Sequence, residues 1–185
     1  RPCAALIRNL MDFARPAQGS LRLSDVEPVI RAAVKITSSY LDKSRIKVVV
    51  DLDVNLPPIE ADPNQLQQVL LNLFFNAAEA MPKGGCLAIR ATTRSVSSGR
   101  RRNAKELTLA VSDTGVGIES AALPKIFRSF FTTKQKKGMG LGLSICERIM
   151  KAHGGRISVE SAPGKGTTFY LHFPLADKGD DGKDS

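Results

Sequence analysis

The chain has 185 residues, 42% of them hydrophobic and 24% charged, which suits one domain with a sizeable core and a small appendage. No apolar run approaches the about 18 residues that span a bilayer, no signal-peptide pattern opens the chain, and Cys3, Cys86 and Cys146 have neither metal-ligand nor CxxC spacing, so a reducing cytoplasmic setting is expected. The net charge of +9 admits a nucleic-acid surface, an acidic partner or a phosphate-rich ligand without choosing among them.

The chain opens on Arg1-Pro-Cys without an initiator Met and is read as part of something longer. Residues 1–15 carry Leu6, Leu10 and Phe13 at helical spacing, flanked by Ile7 and Ala14, and stop before Pro16. So short a helix is marginal alone in water, so a partner helix or dimer mate is expected to cover it. Residues 16–20 read as a linker. A short strand over Leu21 to Leu23 precedes Ser24-Asp-Val-Glu27, which matches a capping box, and helical spacing then continues from Val26 to about Leu41. Ile46 to Val54 is rich in β-branched residues and reads as a strand. Asp62-Pro63-Asn-Gln65 opens a second helix, which should run to Met81 before Pro82 and Gly84-Gly85 stop it.

Cys86 to Arg94 alternates as a strand, and the polar stretch Ser95 to Asn103, with Arg100-Arg101-Arg102, reads as a loop. Leu107 to Ser112 is the next strand. Gly115 to Met139 is long and irregular, with at most two helical patches around Ala121 and Ile126. A helix from Gly140 to His153 ends at Gly154-Gly155, and Ile157 to Ser161 pairs with Thr167 to Leu175 across Pro163-Gly-Lys-Gly166. Residues 177–185 are charged and apolar-free, the composition of a disordered tail. Helices and strands mix without strict βαβ alternation, which favours an α+β layer sandwich.

Two features point to chemistry. Gln65, Gln68, Asn72, Asn76 and Glu79 form one polar stripe on an otherwise apolar helix. By itself the stripe is either a pocket lining or a solvent-facing line. Asp113 follows an alternating strand directly, and Gly138-Met-Gly140-Leu-Gly142 opens a helix. A carboxylate at a strand end can accept from an exocyclic amine, and the bare amides of a glycine turn can cradle phosphates. Arg94 and Arg100 to Arg102 lack interleaved aromatics and read as a solvated loop rather than a nucleic-acid patch.

Taken in order, these motifs resemble those of the sensor histidine kinases. Asn72-Leu-Phe-Phe-Asn76 is similar to their N box, Asp113-Thr-Gly115-Val-Gly117 to the G1 box, and Gly138-Met-Gly140-Leu-Gly142 to the G2 box. Gly164-Lys-Gly166-Thr167-Thr-Phe169 resembles the last glycine box, and Phe127 to Phe131 falls where an F box should. The match covers about residues 62–173. Leu6 to Pro16 looks like the tail of the second dimerisation and phosphotransfer helix, and Phe130-Phe-Thr-Thr-Lys134 is most similar to the NtrB-like branch.

The resemblance implies a Bergerat-type ATP fold of the GHKL superfamily over residues 21–176: a two-layer sandwich of a mixed, mostly antiparallel sheet backed by helices, with a lid at 115–139. It implies that Asp113 binds the adenine amine, that Asn76 binds Mg²⁺ bridging the phosphates, and that Asn72 lines the same region. Lys134 and Lys137 would face the phosphates, which backbone amides at Gly138, Gly140, Leu141 and Gly142 would hold. Gly115 and Gly117 would turn the chain close to the base, and Thr167 would support the adenine pocket. The implied partners are ATP, the phosphoacceptor helical domain of the same homodimeric protein and a response-regulator receiver domain, with no nucleic acid.

Departures from the family pattern narrow these expectations. The F box reads Phe127-Arg-Ser-Phe130 instead of Phe-Glu-Pro-Phe, and Glu79 stands where many relatives carry a basic residue. Neither His153 nor His172 sits before an acidic residue, so the phosphoacceptor is expected upstream of Arg1. Related ATPases place a Glu base where this chain has Asn72, which cannot take a proton, so transfer to a side chain is favoured over hydrolysis. The rival readings are a GHKL-type ATPase, a protein serine kinase, and a silent nucleotide-binding scaffold.

Overall fold

A computed structural model describes residues 20–98, 101–131 and 140–175. The expected helix over 1–15, residues 16–19 of the linker, Lys134, Lys137, Gly138 and the tail at 177–185 lie outside the described residues. The chain runs β1 (Arg22–Ser24), α1 (Val26–Lys43), β2 (Ile46–Leu52), β3 (Ile59–Ala61), α2 (Pro63–Ala80), β4 (Gly85–Ser98), β5 (Arg101–Asp113), a 3₁₀ turn at Leu123–Lys125, α3 (Gly142–Ala152), β6 (Arg156–Ala162) and β7 (Gly166–Pro174).

Five strands form one sheet in the order β2-β4-β5-β7-β6, while β1 and β3 pair separately. Only the β2–β4 pair in the large sheet is parallel, because α2 lies between those two strands and returns the chain to the same end. All three helices pack on one face. Alternation supplies that face with Leu87, Ile89 and Ala91 from β4, Leu107, Leu109 and Val111 from β5, and Phe169, Leu171 and Phe173 from β7, all buried. The α+β sandwich expected from the sequence is the observed fold.

Several elements differ from expectation. Ser24 does not cap α1: it ends β1 and donates its hydroxyl to Arg22 O and Ala61 O, while Asp25 is the cap residue and makes no side-chain bond. The capping-box spacing was satisfied, but the pairing of β1 with β3 claimed its hydroxyl. The strand expected to reach Val54 ends at Leu52, and Ile59–Ala61 forms a short strand too brief to show a period. Ser95 to Asn103 is mostly ladder rather than loop, with pairing to Val96↔Ala104 and on to Ser98↔Arg101 across a register shift. Backbone pairing needs no apolar alternation, and a polar ribbon therefore hides from a hydrophobic pattern. In contrast, Asp62 caps α2 as expected, accepting from Asn64 N at 2.8 Å and Gln65 N at 3.4 Å.

His153 ties α3 to α2. Its Nδ1 lies 2.7 Å from Ile149 O and its Nε2 3.0 Å from Asp62 N, so the proton sits on Nδ1 and the neutral ring is satisfied at both nitrogens. The ring is buried, and it joins the C-terminal end of α3 to the N-terminal cap of α2.

Among the described residues the other face of the sheet carries no helix and presents mainly polar side chains. Glu106 lies there with its side chain only 8% exposed, beneath Arg156 and His172. Arg156 Nη2 lies 3.1 Å from Oε1, a second guanidinium nitrogen reaches Oε2, and His172 Nδ1 lies 2.8 Å from Oε1. Burial pushes the carboxyl pKa up, but the hydrogen bonds and charges of Arg156 and His172 together outweigh it and leave it below the ordinary value. A lowered carboxyl contributes stability that is present above the unfolded-state pKa and is lost as pH falls through the folded one. Glu106→Gln is therefore expected to cost about 1 kcal/mol near neutrality, discounted because Arg156 is largely exposed, and to flatten the loss of thermal stability below pH 4.5. Thermal unfolding as a function of pH, wild type against variant, checks both.

Candidate functional site

The site grows from the end of β5. Asp113 closes that strand opposite Thr167 of β7, on the helix-covered face. Its Oδ1 accepts from Gly115 N at 2.8 Å and from Thr167 N at 3.3 Å. Two amides thus fix one carboxyl oxygen, and among the described residues Oδ2 has no partner. Burial raises the Asp113 pKa above the ordinary value of 3.8, with the Gly115 and Thr167 bonds pulling the other way. A fixed, half-buried acceptor of this kind suits a donor such as an amine.

Glycines allow the surrounding backbone to close in. At Gly166, with φ of +85°, a Cβ would lie 1.9 Å from the backbone oxygen of Asp113, so no side chain fits against that stretch of backbone. At Gly115 a Cβ would lie 2.6 Å from Ala80 O. Next to it, Val116 N–H donates to Ala80 O at 3.0 Å, clamping the turn to the C-terminal end of α2. Thr114 adds a bond, its Oγ1 accepting from Cys86 N at 3.0 Å. Gly117 passes against Ala162, and Ile118 N–H donates to Ser161 Oγ at 2.8 Å.

The same half of α2 carries Asn72 and Asn76, both half-buried. Asn72 Nδ2 donates to Cys146 Sγ at 3.8 Å, and a Cβ on Gly142 would lie 3.9 Å from Asn72 Oδ1. The amide of Asn72 therefore bridges α2 to the first turns of α3, with its oxygen beside that helix's N-terminus. Burial pushes the Cys146 thiol up to about 12, with the Asn72 bond opposing, so it stays a neutral packing group. Leu141, the cap of α3, makes no side-chain cap bond and buries its side chain, so the site can use only its backbone. Uncapped N–H groups at a helix start favour an anion, and the helix dipole adds to that.

Phe130 N–H donates to Gly140 O at 3.0 Å, so the chain that leaves at Phe131 and returns at Gly140 is closed at its base. Phe127 anchors the approach, packing edge-on against Phe169 with ring centroids 6.4 Å apart. Phe130 itself is 68% exposed.

The predicted residues thus fall into two groups joined by α2. Asp113, Gly115, Gly117 and Thr167 gather at the end of β5, while Asn72, Gly140, Leu141 and Gly142 gather where α3 begins. Asn76 sits one turn before Ala80, between them. The polar stripe is not one lining: Gln65 lies at the opposite end of α2, beside the Asp62 cap. Ser161 and Cys146 escaped the sequence reading. Neither carries a spacing signal, since each acts through contacts made by residues far away in the chain.

A hard cation is compatible with the donor set. Among the described residues no three His, Cys, Asp or Glu side chains cluster into a self-sufficient metal cage. The asparagine oxygens are instead what a cation uses when a ligand's phosphates complete its shell.

Residues 61–177 match the family model described as Histidine kinase-, DNA gyrase B-, and HSP90-like ATPase. Among curated proteins, the chain is 33% identical over 170 residues to the sensor histidine kinase ZraS of Escherichia coli K12, covering 92% of this chain and 34% of that protein. It is 37% identical over 178 residues to the sensor kinase CckA of Brucella abortus strain 2308, covering 92% of this chain and 19% of the other. The chain therefore spans only a part of each. Among solved structures, full-length ShkA in complex with AMPPNP superposes with a TM-score of 0.77 at 30% identity, over 93% of this chain and 36% of that one. The catalytic domain of histidine kinase ThkA gives a TM-score of 0.70 at 29% identity, over 83% of this chain and 95% of that domain. The chain belongs to the histidine kinase-, DNA gyrase B- and HSP90-like ATPase family, and its fold is that of the histidine kinase catalytic domains.

Proposed function

We propose that the chain is the ATP-binding catalytic domain of a sensor histidine kinase and transfers the γ-phosphate to a histidine on a separate helical domain. The observation that carries this is the Asp113 corner: a carboxylate with one oxygen locked by two amides and the other free, clamped to the helix that bears Asn72 and Asn76. Asp113 Oδ2 accepts from the adenine amine. Gly115 and Gly117 let the chain turn beside the base, and Thr167 lines the same corner. Backbone amides at Gly140, Leu141 and Gly142 hold the phosphates at the start of α3, joined by Gly138 and by Lys134 and Lys137 from the lid. Asn76 Oδ1 would hold Mg²⁺, with Asn72 beside it, and the ion would supply charge neutralisation to the phosphates.

Most of the catalysis this asks of the protein is placement and charge, since phosphoryl transfer leaves little covalent work to side chains. Asn72 has no basic lone pair that could activate water, which favours transfer over hydrolysis. Both histidines of the chain are committed elsewhere: His153 is buried with both nitrogens bonded, and His172 lies on the sheet face opposite the helices, bonded to Glu106 and Ser158. The acceptor therefore comes from another domain. Support for that comes from relatives named sensor kinases. By the same reading, a response-regulator receiver domain takes the phosphate from that histidine, and the chain works in the cytoplasm.

Mixing the chain with Mg-ATP labelled in the γ-phosphate and a phosphoacceptor helical domain supplied in trans tests the reading. Label is expected on the acceptor histidine, and Asn76→Ala or Asp113→Asn should lower ATP affinity by about tenfold or more and abolish labelling. ATP binding without transfer would leave only a nucleotide-binding scaffold.

Asp113 also makes a trade that can be measured. Its raised pKa means that the ionised form costs folding stability near neutrality, a cost that disappears as pH falls through the folded-state value. Asp113→Asn keeps an oxygen for Gly115 N and Thr167 N, so the nucleotide-free variant is expected to melt no lower than wild type at neutral pH while binding ATP worse. For the wild type, ATP affinity should begin to fall on acidification at a higher pH than an ordinary aspartate with pKa 3.8 would give. Calorimetric titration across the pH range and thermal melts without ligand read these two effects separately.

A further inference from the structure

The face of the sheet turned away from the helices brings together a carboxylate, an imidazole and a hydroxyl. Thr108 of β5, His172 of β7 and Arg156 of β6 are direct cross-strand neighbours there, with Glu106 and Ser158 two residues along the flanking strands. His172 Nδ1 lies 2.8 Å from Glu106 Oε1, and His172 Nε2 lies 2.9 Å from Ser158 Oγ. The Glu106 side chain is 8% exposed and that of His172 15%, whereas Ser158 is exposed. The row thus runs from a buried acid, through a ring, to a hydroxyl at the surface.

The carboxylate decides where the protons of this row sit. An ionised carboxylate only accepts, so the neutral imidazole must carry its proton on Nδ1. Thr108 Oγ1, 3.5 Å from the same nitrogen, is too distant to compete. Nε2 is then left with a lone pair, and the Ser158 hydroxyl donates to it. Arg156 reinforces the arrangement, because its guanidinium bonds both Glu106 oxygens and fixes the carboxylate beside the ring. Arg156 precedes Ser158 by two residues on β6 and shares its face, with its own side chain 62% exposed. A structural tie alone has no need of an exposed hydroxyl whose proton already faces a base.

We propose that Ser158 is an acyl-accepting serine, with His172 as its general base, Glu106 and Arg156 as positioning residues, and a small activated ester or thioester as the acyl donor. Ser158 Oγ adds to the carbonyl carbon as its proton passes to His172 Nε2, and the carbonyl electron pair moves onto oxygen. The imidazolium so formed keeps Nδ1–H on Glu106, and Arg156 places its charge on the face where the oxyanion forms. When the C–O or C–S bond to the leaving group breaks, the alkoxide or thiolate takes the proton from Nε2. The products are O-acyl Ser158 and a free alcohol or thiol, and the ring is neutral again. No part of the step uses ATP, so it stands apart from the nucleotide reading.

The test treats the 185-residue chain with p-nitrophenyl acetate and follows acetylation residue by residue by peptide mass spectrometry. Ser38 is the internal reference, since it is exposed on α1 and its hydroxyl donates to Lys35 O rather than to a base. A positioned general base contributes roughly 10²–10⁴-fold, so Ser158 is expected to acetylate at least about 100-fold faster than Ser38. His172→Gln should bring Ser158 down to the Ser38 rate. Glu106→Gln should lower it by roughly tenfold or more, because an amide can donate to Nδ1 as well as accept from it and no longer fixes the tautomer. Nitrogen NMR of His172 reads that second effect directly: the neutral wild-type ring should carry its proton on Nδ1, and the Glu106→Gln ring should share it between both nitrogens.

Acetylation of Ser158 no faster than that of Ser38 overturns the proposal, as does a Ser158 rate that His172→Gln leaves unchanged. A neutral wild-type His172 with its proton on Nε2 overturns it too. That measurement and the wild-type comparison of Ser158 with Ser38 need no variant, so they decide the matter should the substitutions unfold the chain.

Discussion

Everything at this site hangs on the contact between the turn after β5 and the end of α2. Gly115 lies against Ala80 where a side chain could not, and Val116 N–H donates to Ala80 O at 3.0 Å. That bond uses a carbonyl of the last turn of α2, which the helix itself cannot pair. It sets the Asp113 carboxylate relative to the helix that presents Asn76 about one turn earlier. The Asp113 carboxylate and the Asn76 amide, on different elements, become one rigid unit by this contact. A looser turn would let the two drift independently, and geometry off by about 1 Å is costly for positioned chemistry.

The opposite end of α2 is fixed just as firmly. His153 bonds the Asp62 backbone from the end of α3, and Asn72 meets Cys146 and the first turn of α3 midway along. Helices α2 and α3 are thus held antiparallel by polar contacts near both ends, with apolar packing between. Buried polar contacts of this kind contribute little net stability when satisfied and cost heavily when broken, so they specify one register of packing. The start of α3 inherits its position from that register.

The two carboxylates show how environment divides the labour. Glu106 lies under Arg156 and His172 on the far side of the sheet and is held ionised, where it stabilises the fold. Asp113 has amide bonds but no cation among its described partners, and burial leaves it costly to ionise. One is paired with cations of the protein, the other among its described partners only with amides. That asymmetry distinguishes the two carboxylates more clearly than exposure does.

Much of this was legible in the residues themselves. The cap and proline at Asp62-Pro63, the apolar period of α2, the alternation of β5 and β7 and the glycines at 115, 117, 140, 142 and 166 are local signals, because each reports a requirement of the backbone or of one face. They sufficed for the α+β class and for singling out Asp113, Asn72 and Asn76 as candidates. Local signals also misled: Ser24 had capping-box spacing but paired its hydroxyl into β1–β3, and the polar ribbon from Ser95 to Asn103 concealed a ladder. What only the tertiary structure decided was which groups are spoken for. That Asp113 keeps one oxygen without a partner among the described residues, that both histidines are engaged, and that the Ser161 hydroxyl reaches Ile118, Gly166 and Thr167 all depend on segments brought together from distant parts of the chain. A hydrogen-bonding side chain declares its type in sequence, but its remaining valence exists only once its neighbours are in place.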